Sequence, residues 1–586
     1  MTAQPVWFGP TDRPLFGWFH TPDDGRARGG VVLCPPIGDE ERRVYFTFRK
    51  LAESLAAAGF AVVRFSYDGT GDSAGTLDDP ERIAAWTASI VSAIELVREA
   101  GADHVTAIGM RFGATLATHV VTGAGPPLDA LVLWDPCVRG REFIRYQQAL
   151  MASLGGSPST DSRGLDTPGY FFPTALTDEI RGFEILPLDS PGTRTLVLSR
   201  DGRPASPRLE RALSGSAVDR IDAIGQEELL DVPPLSSVVP WDSIGQITAW
   251  LNGVAPDTGA AIVVPVRDAA TVGVDDVDRP IYERAVRLGE VGLFGMATEP
   301  ADGGHGPWVI FLNVATEHHI GPGRLWVDLA RQWARHGLRS IRIDVSGVGD
   351  SPVHPGQGEG ISFAPQWLDD IPTVASTMSP DDPSNVVFVG LCSGGYGAFE
   401  SALALGARGA YVFNPALSSV SMNKSSDQFD PRRRAFRPLP VPLVKLAVDH
   451  GRMAWWLWRT YRQFAVWQSP MSVPAVAVRE GIDVLLIVGE DDVRDLRESV
   501  YWRFVGERRL RKSGRFTLAV VAGMDHPLLF GEGRRRGSEI LTDHLLERYC
   551  RSDQPPSALP ASAESDAGGP TGSSGAAATT ASRSSR

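Results

Sequence analysis

Cysteine is scarce in this chain: Cys34, Cys137, Cys392 and Cys550 are the only four in 586 residues, and they are widely separated. That spacing, with no C-x-x-C pair, disfavours both a disulfide framework and a cysteine zinc site. Long apolar runs are also missing. No stretch has the length of an uninterrupted transmembrane helix, and Met1-Thr2-Ala3-Gln4-Pro5-Val6-Trp7 lacks the basic and apolar regions of a signal peptide. Positive charge is not in excess: the net charge of -13 argues against a general nucleic-acid binder. The run Arg432-Arg433-Arg434 reads as a solvated loop. A cytoplasmic address with small-molecule partners is the expectation. What is present, 43% hydrophobic and 22% charged residues, supplies ample core for two large domains or several smaller ones.

Internal repetition organises the chain. Leu15-Phe16-Gly17 followed by Pro22 recurs as Leu293-Phe294-Gly295 followed by Pro300. Arg64 to Ser73, ending in Gly69-Thr70-Gly71-Asp72-Ser73, recurs as Arg342 to Ser351, ending in Gly347-Val348-Gly349-Asp350-Ser351. Trp86 and Trp367 precede, at equal distance, the turns Gly109-Met110-Arg111-Phe112-Gly113 and Gly390-Leu391-Cys392-Ser393-Gly394. Chance does not produce this order. Short apolar strands without alternation, such as Val31-Val32-Leu33-Cys34 and Trp308 to Leu312, alternate with helices such as Phe48 to Gly59 and Leu325 to Gly337. That pattern predicts an α/β architecture of two tandem domains, each a mostly parallel sheet with helices on both faces. The expected boundaries are 1–253, a linker at 254–280, 281–550, and a disordered Ser/Ala/Gly/Pro tail at 551–586.

Gly390-Leu391-Cys392-Ser393-Gly394-Gly395 joins the strand Asn385 to Val389 to a helix beginning near Tyr396. A strand, sharp turn and helix with small residues two places either side of the tip form a nucleophile elbow, because the strained turn has no room for larger side chains. The tip is Cys392. Ser393 would be the tip only if the turn slipped by one residue, and the alignment of Cys392 with Arg111 rejects that register. A thiol nucleophile needs a base and a carboxylate to orient the base. The strand Ile482 to Gly489 delivers Glu490-Asp491-Asp492, of which Asp492 is preferred and Asp491 is the nearest rival. The strand Phe516 to Val521 leads to His526 on the following loop. Cys34 and Cys137, at strand ends without a motif, read as buried structural thiols.

These motifs, in this order and in two copies, resemble the α/β-hydrolase superfamily over nearly the whole ordered chain. The G-x-C-x-G-G elbow resembles dienelactone hydrolases. The G-x-G-D-S loop and layout are similar to serine aminopeptidase, lysophospholipase-like and exosortase-associated hydrolases, which carry serine at the tip. The resemblance implies a Cys392–His526–Asp492 triad. It also implies an oxyanion hole made by the backbone N–H of Ser393 and that of Val314 or Ala315, in the loop after the first strand of the second unit. At a helix N-terminus the dipole favours a thiolate, so a thiol ester intermediate and acyl transfer from esters, thioesters or lactones are expected. The same residues would serve an acyltransferase, and a non-catalytic ligand-binding scaffold is the third reading. Segments 140–190 and 418–478 lie where the superfamily inserts a lid, and Trp455, Trp458 and Tyr461 give the second an apolar face.

In the first copy Arg111 cannot act as a nucleophile, because its guanidinium stays protonated. Asp201 keeps the place of an acid, but no histidine occurs between His119 and His305. That copy is expected to be inactive, with Arg111 paired to Asp201 or holding an acidic ligand group. His318-His319 resembles a metal pair only superficially and is expected to line a pocket or be solvated. Gly69-Thr70-Gly71-Asp72-Ser73-Ala74-Gly75 departs from a dinucleotide fingerprint, its last glycine being one place late. Neither a metal nor a cofactor is expected.

Overall fold

Val31-Val32-Leu33-Cys34 shows no polar alternation because both faces of its strand are covered. Val31 and Leu33 enter one core layer, and Val32 and Cys34 enter the layer on the other side of the sheet. The computed structural model describes residues 2–416, 472–498 and 507–550, with breaks at 124, 157–162, 189–192, 201, 204–205, 215–217, 233–236 and 257–258. The expected tail at 551–586 and the aromatic segment from 418 to Met471 lie outside the described residues.

The first sheet comprises β1 (Thr2–Phe8), β2 (Leu15–Thr21), β3 (Gly30–Cys34), β4 (Ala61–Phe65), β5 (Val105–Met110), β6 (Ala130–Trp134), β7 (Arg194–Arg200) and β8 (Val218–Ala223). They pair in the order β1-β2-β4-β3-β5-β6-β7-β8, and β2 alone runs against the rest. The second sheet repeats this order behind one additional edge strand. Its members are β9 (Ala269–Val274), β10 (Pro280–Leu288), β11 (Leu293–Pro300), β12 (His305–Phe311), β13 (Leu338–Ile343), β14 (Val386–Leu391), β15 (Gly409–Phe413), β16 (Asp483–Gly489) and β17 (Phe516–Val521). The order is β9-β10-β11-β13-β12-β14-β15-β16-β17, parallel from β13 onward. Both are mostly parallel sheets, as the run of short apolar strands predicts.

The crossing segment 254–280 is not bare linker. Ala260–Ala261 pairs back onto Arg26–Ala27, and Ala269–Val274 is the added edge strand. We propose the division at this segment, since every other strand of each large sheet comes from its own side of it.

The two halves meet through equivalent residues. Phe16 and Phe294, which share one repeat position, stack with centroids 6.3 Å apart, and Trp18 stands edge-on to Phe294 at 4.9 Å. Trp7, Ala270 and Met296 complete this apolar seam. Beside it Arg64 pairs with Asp350, and Arg342 pairs with Asp72 at 3.0 Å. Arginine and aspartate exchange halves between the two pairs, so the halves pack about a pseudo-two-fold axis.

Candidate active site

Cys392 follows β14 and caps the helix Ser393–Leu405 with φ 54° and ψ -112°. That conformation strains a residue with a Cβ, typically by about 1–3 kcal/mol, and the close packing around the turn holds it in place. A Cβ on Gly390 would lie 2.4 Å from the Gly394 carbonyl carbon, and one on Gly394 would lie 2.6 Å from the Asn313 oxygen. The two small residues flanking the tip are therefore required sterically. Cys392 is half-buried, whereas Cys34 and Cys137 are buried. Burial pushes the Cys137 thiol up to about 12 and the Cys34 thiol higher.

Asp492 stands just beyond β16, in the first turn of the helix Glu490–Glu498. His526 is on the loop between β17 and the helix Gly531–Tyr549. Its Nδ1 lies 2.7 Å from Asp492 Oδ1. This hydrogen bond is the largest cause, and the neighbouring Cys392 adds to it, so that the imidazole is raised to about 10. Cys392, His526 and Asp492 thus meet in one chain of contacts. Asp491 is turned away: its side chain is 94% exposed and pairs with Arg494 at 3.3 Å.

Ser393 is buried at the start of the elbow helix, and its Oγ accepts the Ala315 N–H at 2.7 Å. Of the two candidates for the second oxyanion donor, Ala315 is thus already engaged by a neighbouring hydroxyl in this state. The loop Asn313–His319 is further pinned by Asn313, whose Nδ2 donates to the Glu317 carbonyl and to Asp344 Oδ1, both at 2.9 Å.

His318 and His319 are not solvated. Both are buried at the junction of the halves, and no metal-holding group of His, Cys, Asp or Glu occurs among the described residues. His318 stacks on Tyr45 at 3.7 Å and borders a small cavity between the halves. Burial beside the charged His319 lowers its imidazole to about 4. His319 bridges Asp72 (2.7 Å) and Asp344 (2.9 Å), whose charges outweigh desolvation and raise it to about 10.

Asn414, one residue beyond β15, is a site residue the sequence reading missed. Its Nδ2 donates to the Asp525 and His526 carbonyls at 3.0 Å each, and its Oδ1 accepts the Gly489 N–H at 2.9 Å. It therefore ties the histidine loop to the end of the acid strand. Its counterpart in the first half is Asp135, one residue beyond β6, and both have positive φ (37° and 43°). Aligning the two strand ends would have singled out this position.

The elbow of the first half has the same backbone. Arg111 has φ 54° and ψ -118°. Asp201, its expected partner, lies outside the described residues, and Arg111 instead reaches Asp135 at 3.0 Å and Glu40 at 3.3 Å. Arg200 extends the cluster to Asp135 and Asp231 at 3.1 and 3.0 Å. A cleft of about 560 Å³ lies above it, with Phe143 and Tyr146 in its wall. The segment 140–190 contains the helix Gly140–Ser153, a hairpin Gly164–Thr167 and Tyr170–Pro173, and the helix Thr174–Gly182.

Residues 25–163 match the family model described as serine aminopeptidase, S33. The matched stretch contains Arg111, not Cys392. No curated protein matches the chain. Among solved structures, DcsB in complex with its substrate analogue is similar at 19% identity, covering 43% of this chain and 99% of its own, with a TM-score of 0.31. An esterase of Pyrococcus furiosus, Pf2001, gives 14% identity, coverage of 43% and 91%, and a TM-score of 0.31. The mouse alpha/beta hydrolase domain-containing protein 10 gives 15% identity, 43% and 97%, and a TM-score of 0.29.

Proposed function

We propose that this α/β-hydrolase superfamily protein cleaves an ester, thioester or lactone through Cys392, with His526 as acid and base and Asp492 orienting it. The observation that carries this reading is the chain of contacts Cys392–His526–Asp492, present in the second half only. The raised His526 favours a resting thiolate–imidazolium pair.

The thiolate attacks the acyl carbonyl, forming a C–S bond and an oxyanion. The oxyanion is received by the Ser393 N–H and by the loop Asn313–His319, through the Val314 N–H or through Ala315 once the Ser393 hydroxyl is displaced. Collapse expels the alcohol or thiol, which leaves with the His526 proton. His526 then takes a proton from water, hydroxide attacks the thiol ester, and the C–S bond breaks to release the acid and restore the pair. An acyl acceptor other than water would use the same residues, making the protein an acyltransferase. Hydrolysis is preferred because it needs no second site. The first half takes no part in the covalent chemistry.

The test is a screen of p-nitrophenyl esters, acyl thioesters and lactones on the full chain, with peptide mass spectrometry of a quenched reaction. An acyl group on the Cys392 peptide is the expected result. Turnover that survives Cys392→Ala, or the absence of both turnover and acyl-enzyme, overturns the reading.

A further inference from the structure

The armed half does not hold its own site alone. His319, at the end of the loop Asn313–His319, is fixed on one side by Asp344 of its own half and on the other by Asp72 of the first half. Glu317 of the same loop is paired with Arg42 of the first half, and His318 is stacked under Tyr45. Asp72 is 3% exposed, His319 1% and Asp344 0%, so water cannot substitute for a lost partner there. Asp72 is itself set by Arg342, and the carbonyls of Gly71 and Ser73 on either side of it accept from Arg324 at 2.7 and 2.8 Å.

A second grip lies at the histidine loop. The hairpin of the first half donates the Gly169 N–H to the Leu529 carbonyl at 3.0 Å. Leu529 is three residues beyond His526, and its own N–H is held by Asp525 at 2.8 Å.

We propose that the disarmed half is a positioning module in cis, which sets the oxyanion loop Asn313–His319 through Asp72 and Arg42 and steadies the His526 loop through the hairpin Gly164–Pro173. This rests on the acyl-transfer reading and assigns the first half its task within it. Asp72 and Arg42 touch no reacting atom; they act through the loop. A module that clamps its neighbour needs its fold and its surface but no chemistry, and Arg111 at its elbow tip fits that role.

Two reagents separate positioning from reactivity. Alkylation by iodoacetamide needs a reactive Cys392 but no oxyanion hole, whereas acylation by p-nitrophenyl acetate needs both. In the full-length protein, Asp72→Asn and Arg42→Gln should each slow Cys392 acylation at least tenfold. Alkylation should stay within about twofold of the parent, and Arg42→Lys should recover most of the acylation. Equal losses in both reactions, or no loss in either, overturn the proposal. Arg42 lies nearer the surface, 11% exposed, so Arg42→Gln decides the matter should Asp72→Asn not fold. If the parent is alkylated but never acylated, the acyl-transfer reading fails while amide hydrogen exchange still tests the clamp. Faster exchange confined to the loop carrying His319 in Arg42→Gln supports it, and unchanged exchange there overturns it.

Discussion

Cys392 and Arg111 adopt one backbone conformation, φ 54° with ψ -112° and -118°, at the tips of two elbows in a single chain. One elbow presents a thiol to His526. The other buries a guanidinium between Glu40 and Asp135. The strain of the turn is kept in both, so the elbow is a property of the fold, and its chemistry is decided by the side chain at the tip and by what surrounds it.

Iodoacetamide at neutral pH should label Cys392 first. Cys34 and Cys137 should stay unmodified in the folded protein, because both are buried and their thiols are held well above the ordinary range. Peptide mass spectrometry against reaction time measures this order. Cys392→Ser should lose the rapid labelling and keep at most a small fraction of acyl turnover, since a serine hydroxyl is a far weaker nucleophile than a cysteine sulfur at neutral pH.

Asp492→Asn should lower turnover by roughly two orders of magnitude or more, as removal of the orienting acid does in triads generally. Asp491→Asn should remain near the parent value, its side chain being exposed and turned to Arg494. His526 should titrate near 10 in the parent, as seen by NMR of its ring protons. In Asp492→Asn it should fall toward the ordinary 6.5, because the largest contribution to its elevation is removed.

His319 makes stability fall with rising pH. Its folded value of about 10 lies above the ordinary 6.5, so its contribution is complete below pH 6.5 and is lost as pH rises through about 10. Glu41, raised by burial to about 8, acts in the same direction, since the folded state binds its proton more tightly. Denaturant midpoints taken from pH 6.5 to 10 should therefore decline, with a total on the order of a few kcal/mol. His319→Gln should be less stable at pH 6.5 and show a flatter decline.

Arg111→Ala should unfold more easily by about 3–5 kcal/mol, the usual cost of leaving a buried partner charge unpaired. Glu40, already raised by burial, would lose the guanidinium that offsets it. Adding Glu40→Gln should recover part of the loss, and neither variant should gain acyl activity. Urea titration and the ester assay report the two effects separately.

Asn414→Ala removes three hydrogen bonds at a fully buried position. A loss of about 2–3 kcal/mol in stability is expected from the carbonyls and amide left without partners. Turnover should drop more than Asp491→Asn drops it, because the His526 carbonyl loses its support.

Much of this molecule was legible in its residues. The repeated Leu-Phe-Gly, G-x-G-D-S and elbow motifs determined two copies of one α/β unit, since local backbone demands on glycine and burial on both faces of a parallel sheet leave few alternatives. The same local logic placed Cys392 at a strained tip and Asp492 and His526 after their strands. What the sequence could not determine is what meets across distance. That Ala315 is engaged by the Ser393 hydroxyl, that Asn414 joins the acid strand to the histidine loop, and that Asp72 of one half holds His319 of the other depend on packing between segments far apart in the chain. Such contacts leave no spacing to read, because their geometry arises only when the two sheets close about their shared Phe16–Phe294 seam.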